Sequence, residues 1–134
     1  MFGGTAMSVN AEQRMAEVER ILEDFDERAG GLVAVSLLMK SGLPVAARIR
    51  VHVDETFLSA SLASLLGIAV DLTGRLFEQT PARVMLDTDA GSLILRGVGE
   101  DMVLVAIFKK QHLGAMLLLV EHTTTKLSDL FQTS

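Results

Sequence analysis

From Glu55 to Gln79 the sequence runs without a proline, and only Glu55, Asp71, Arg75 and Glu78 carry charge. Asp54 stands before this stretch as a helix N-cap, and Thr80-Pro81 closes it, because the residue before proline is pushed out of the α region. Wound at about 3.6 residues per turn, Leu58, Leu62, Leu65, Ala69, Leu72 and Leu76 fall on one line, read as the face that packs on a sheet. An ordinary surface helix would put Lys and Glu on the opposite line. Here that line is Ala60, Ser64, Gly67, Asp71, Gly74 and Glu78, small and nearly uncharged over its first turns. Ala63, Leu66, Val70 and Phe77 flank it on one side, Phe57 and Ile68 on the other. Left in water, Gly67 and Gly74 would each cost helix stability, about 1 kcal/mol relative to Ala. Small side chains along one line let a second helix backbone come close. That helix belongs either to another copy of the chain or to the first or third helix of the same chain. A symmetric dimer is the commonest source of such a partner. The expected dimer contacts are Ala60, Ser64, Gly67, Asp71 and Gly74, with Val84 and Leu86 on an exposed edge strand able to pair with its copy.

The rest of the chain supplies a sheet for this helix. Residues 10–29 predict a helix with Asn10 as N-cap, Gln13 at capping-box spacing, and Met15, Val18, Ile21, Leu22 and Phe25 as its apolar stripe. Gly30-Gly31 ends it. Leu32–Met39 reads as a buried central strand, Lys40–Pro44 as a turn, and Val45–Val51 as an edge-like second strand opened by Pro44. Ala82–Asp87, Ser92–Val98 and Met102–Phe108 form a meander joined by the turns at 87–91 and 99–101. Leu113–Phe131 carries a helical stripe. The order α-β-β-α-β-β-β-α predicts an α+β fold: a five-stranded, mostly antiparallel sheet with helices on both faces. Residues 1–9 are expected to be a flexible lead and 10–132 a single domain, as the length of 134 residues allows.

Composition removes several function classes. With no Cys, disulfides, thiolate nucleophiles and Cys-based metal sites are excluded. Twelve basic residues against 17 acidic ones give a net charge of −5, which argues against nucleic acid, whose phosphates need a clustered basic surface. The N-terminus has no signal-peptide pattern, and the longest apolar stretches, such as Leu62–Val70 and Met102–Phe108, are expected to be far below the ~18 residues of a membrane span. A cytoplasmic protein is expected. The mean hydropathy of +0.39 suggests that another chain covers some apolar surface.

No catalytic constellation emerges. His52, His112 and His122 share no metal-ligand spacing. Asp87 and Asp89 read as turn formers whose side chains bond their own backbone. Gly97-Val98-Gly99 joins two strands and offers no helix N-terminus to a phosphate. Ser41-Gly42 has no base nearby, and Lys109-Lys110 and Thr123-Thr124-Thr125 read as solvated surface. No catalytic residue, metal or cofactor is expected, so the chain is read as one that binds.

The element order and several local patterns resemble the Roadblock / dynein light chain family. Gly31–Leu38 followed by Ser41-Gly42-Leu43-Pro44-Val45-Ala46 is similar to its first hairpin. Asp54–Leu76, with Ser59-Ala60 and Ala63-Ser64, is similar to its central helix. Leu93–Glu100 and Met102–Ile107 are similar to its fourth and fifth strands, and Leu113-Gly114 to the turn into its last helix. The resemblance covers about residues 11–131. It implies a fold close to profilin and longin domains, and a homodimer with paired central helices and third strands joining two sheets. It also implies a small Ras-like GTPase as partner, regulated or scaffolded without an arginine finger. Asp71, Arg75 and Glu78 would then set the register of that partner. Two alternatives stand beside it. One is a small-molecule sensor with a cavity near Leu38, Leu65 and Val105; the other is a structural adaptor that clamps a peptide.

Overall fold

The computed structural model describes residues 2–110 and 113–132, with side chains from Asn10 onward. The elements are α1 (Phe2–Arg28), β1 (Leu32–Met39), β2 (Pro44–Ile49), α2 (Glu55–Phe77), β3 (Arg83–Asp87), β4 (Gly91–Val98), β5 (Met102–Lys109) and α3 (Leu113–Gln132). Strand order is β2-β1-β5-β4-β3, and every neighbouring pair is antiparallel. The predicted α+β architecture is therefore present, with β1 and β5 central and with β2 and β3 as the edges. His112 lies outside the described residues.

Two cores lie on opposite faces of the sheet. On one, Val18, Ile21, Leu22 and Phe25 of α1 and Met116, Val120 and Leu127 of α3 pack on Val35, Leu37, Ile94, Leu104 and Phe108. On the other, Leu62 and Leu66 of α2 pack on Leu38, Leu95, Val103 and Val105. Burial of these side chains, roughly 1.5–3 kcal/mol each for the larger ones, holds the layers together. Ion pairs clip the first layer at both edges. Asp26 of α1, almost fully buried, accepts from Arg48 and Arg50 of β2 and the turn after it. Glu121 of α3 accepts from Arg96 of β4 at 3.1 Å and from Arg83 of β3 at 2.9 Å.

Local chemistry explains the turns. The Asp54 carboxylate accepts from the Phe57 N–H at 3.0 Å and caps α2. Gly42 adopts φ 98°, and a Cβ there would meet Ala63 Cβ at 3.1 Å, so the hairpin turn lies directly against α2. At Gly91 a Cβ would strike the Phe108 carbonyl oxygen at 2.4 Å, which keeps that position glycine. The Asp87 carboxylate accepts from the Ser92 hydroxyl and not from its own backbone; the Thr88 hydroxyl makes the backbone contacts of this turn, accepting from the Ala90 and Gly91 N–H groups.

Three expectations need correction. Asn10 sits inside α1, which starts at Phe2; a cap residue permits a helix to end, but no proline precedes it to enforce the end. Thr123 and Thr124 are buried on the core side of α3, so this hydroxyl run is not solvated surface. Leu72 and Leu76 do not pack on the sheet: they are 54% and 64% exposed. The buried side of α2 is rotated toward Leu62, Leu66 and Val70, and no α2 residue beyond Val70 joins the core.

Candidate functional site

Leu72 and Leu76 lie on the last turns of a helix longer than the sheet is wide. Because β2 and β3 are opposite edges, α2 must carry the chain across the whole sheet. Four strand spacings make a sheet about 19 Å wide at ~4.8 Å each. The 23 residues of α2 span about 34 Å at ~1.5 Å each. The helix begins by the β1–β2 turn, where Ser59 and Ala63 approach Gly42. Leu66 and Val70 then border a small cleft with Val84 and Leu95. Beyond Val70 no apolar residue of α2 joins the core, and the chain returns through Thr80, Pro81 and Ala82 to the same cleft.

The outward side of α2 is apolar and wet. Phe57, Ile68 and Phe77 are each about two-thirds exposed, alongside Leu72 and Leu76. The expected small residues lie among them: Ala60, Ser64, Gly67, Asp71 and Gly74 are all exposed. A Cβ on Gly67 or Gly74 would meet nothing within 4 Å, so the protomer's own packing requires neither glycine. α1 and α3 occupy the other face of the sheet, which excludes them as the cover for this strip. Apolar surface continues onto the β3 edge, where Leu86 is half exposed. Val84 is half-buried and packs against the α2-side core. Sequence reading assigned the small line to this surface with Phe57, Ile68 and Phe77 on its flanks, and placed Leu72 and Leu76 on the sheet side instead. Their signal was a helix apolar on all sides, which a single buried face does not explain.

The charged candidates are mostly self-satisfied. Arg75 donates to Asp71 at 3.0 Å, one turn back along the helix, and both are well exposed. Glu78 is the C-cap in left-handed conformation (φ 56°), its N–H donating to the Gly74 carbonyl. Such exposed pairs contribute little to stability and leave the face nearly neutral. By length and composition α2 is also apolar enough to cross a membrane, against the expectation that the longest apolar stretches fall far below that length. Its charges are simply few and clustered near its ends. Its first half is seated on the sheet through Leu62 and Leu66.

Of the residues expected around a cavity, Leu65 and Val105 pack in the core under α2, and Leu38, in the same core, also lines a groove of about 470 Å³ between β2 and the first turns of α2. His52 and His122 are exposed, and no cluster among the described residues has the composition to hold a metal ion.

Comparison with known proteins supplies the context. The Roadblock/LC7 domain profile matches residues 18–108. Among solved structures, MglB from Myxococcus xanthus superposes with a TM-score of 0.83 at 21% identity, covering 89% of this chain and 90% of that one. A structure described as MglB with tetrameric arrangement gives 0.79 at 19% identity, covering 87% and 89%. The gliding protein MglB from Thermus thermophilus gives 0.75 at 20%, covering 91% of each chain. At these identities the likeness is one of fold. No curated protein sequence matches the chain.

Proposed function

Since the chain belongs to the Roadblock/LC7 family, we propose that it acts as a homodimer that binds a small Ras-like GTPase and regulates or scaffolds it, without chemistry of its own. The observation that carries this reading is the uncovered apolar side of α2. A soluble protomer rarely leaves two Phe, an Ile and two Leu exposed along one helix. A second copy related by a two-fold axis explains them. Pairing β3 with its copy extends the sheet past the edge, so that the exposed last turns of α2 gain a floor. Ala60, Ser64, Gly67 and Gly74 then let the two helices come close, and Val84 and Leu86 lie at the seam.

The GTPase enters from the family likeness. An activator of this kind repositions the GTPase's own catalytic groups, so it needs no nucleophile or base. Asp71, Arg75 and Glu78, near the end of α2, would steer that partner and fix its register. The setting proposed is the cytoplasm, where such a GTPase meets its nucleotide.

Sedimentation equilibrium tests the dimer. Pull-down of candidate Ras-like GTPases, loaded with GDP or with a non-hydrolysable GTP analogue, tests the partner. Nucleotide-dependent capture supports the regulator; equal capture with both nucleotides points to the adaptor, and failure with both removes the GTPase from the reading.

A further inference from the structure

β3 is poorly held by apolar burial. It has five residues, only Val84 of which packs into a core, and as a strand it pairs with β4 alone. Short edge strands with few buried side chains open at little free-energy cost. Yet β3 begins under a cluster of charges on the face away from α2. Arg83 and Arg96 are directly paired across β3 and β4. Both donate to Glu121 of α3: Arg83 at 2.9 Å, and Arg96 through Nε to both carboxylate oxygens at 3.1 Å. Arg96 also reaches the Ala82 carbonyl at 2.9 Å, the residue just before the strand. One carboxylate thus ties the entry of β3, its neighbour β4 and α3 into a single unit. Side chains alternate along a strand, so Arg83 takes the α3 side while Val84 takes the other.

We propose that Glu121 is a positioning residue for self-association: its double-arginine clamp keeps β3 ordered as the edge to which a second copy binds. The inference rests on the β3 interface proposed above and adds what controls it. Binding to a strand that is ordered only part of the time weakens the apparent affinity by the ordered fraction. A homodimer uses two such strands, so its dissociation constant scales with the inverse square of that fraction. If losing the clamp lowers the ordered fraction to about one third, the dimer weakens roughly tenfold.

The test compares wild type, Glu121→Gln and Asp26→Asn in the full chain. Asp26→Asn removes a comparable carboxylate at the opposite edge, beside β2. Dimer dissociation constants come from sedimentation, folding from circular dichroism, and local order from amide hydrogen exchange. The expected result is a dimer about tenfold weaker in Glu121→Gln alone, with faster exchange confined to β3. A merely structural role would weaken both variants alike, and that result overturns the proposal. An unchanged dimer constant in Glu121→Gln also overturns it. If Glu121→Gln fails to fold, Arg83→Gln removes one arm and leaves the Arg96 pair; it must show the same pattern in weaker form, and an unchanged constant there is equally fatal. A wild type that stays monomeric at every concentration sinks the dimer reading itself, and faster β3 exchange in Glu121→Gln then still separates the clamp's ordering role from the failed interface.

Discussion

Two buried polar groups show how single residues set local stability. Burial alone would raise the Asp26 carboxyl; the hydrogen bonds and positive charges of Arg50 and Arg48 outweigh it and hold the group below the usual carboxylate range. A depressed folded pKa gives stability that is complete above the unfolded value, near 4, and is lost as pH falls through the folded value. Asp26→Asn is therefore expected to cost about 1–2 kcal/mol at pH 7, discounted because both guanidinium groups are half exposed. The difference between the two proteins should shrink as pH falls below the unfolded value, which urea titrations at about pH 7 and about pH 3 would check. A constant difference at both values would mean that the charge is not what stabilises. Thr124 is the opposite case. Its hydroxyl is buried without a hydrogen-bond partner. Thr124→Val keeps the branched shape and removes the unsatisfied oxygen, so it should stabilise by about 1 kcal/mol, read as a higher urea midpoint with unchanged slope. Asp26 did not stand out in the sequence, and Thr124 did so only within a hydroxyl run read as solvated surface. Arg48 and Arg50 alternate with Ile49 and Val51, and no local pattern points to their partner, 22 and 24 positions away.

Elements were legible where a local rule fixes them. Asp54 caps α2 through its own side chain, Pro44 opens an edge strand, and the 87–91 and 99–101 turns join the meander. The periodicity of α2 showed that it has an aliphatic line, but not how much of that line meets the sheet, because the width of the floor beneath a helix is a tertiary quantity. Leu72 and Leu76 were misplaced for that reason. Gly67 separates the protomer's demands from those of its partner. A Cβ at 67 meets nothing within 4 Å in the single chain. Gly67→Leu should thus raise helix propensity and leave the protomer as stable or more so. In the dimer it should crowd the helix pair and weaken association by about 1 kcal/mol or more, roughly fivefold or greater. Sedimentation paired with urea unfolding at high dilution reads the two effects apart. An unchanged dimer would place the contact elsewhere on α2.

At the scale of the molecule, an apolar helix whose last turns, with Leu72, Leu76 and Phe77, lie exposed describes an incomplete object. The α1–α3 side is a closed layer on a full core, while the α2 side closes only over its first turns, up to Val70. Folding and self-association should therefore be linked. If the native form is a dimer and the unfolded chains are separate, the melting temperature must rise with protein concentration, because mass action favours the associated state. With the unfolding entropy of two chains of this length, a hundredfold increase in concentration corresponds to about 5 °C. The dependence persists even for a dimer too tight to dissociate while native, since the unfolded chains still part. Leu76→Asp puts a charge on these last turns, where the side chain is largely exposed in the protomer. It should abolish the dependence and bring the melting temperature to or below the wild-type value at the lowest concentration. A wild-type melting temperature that does not move across that range would mean that the last turns of α2 are covered by something other than a second copy, and a GTPase face would then be the first surface to test in its place.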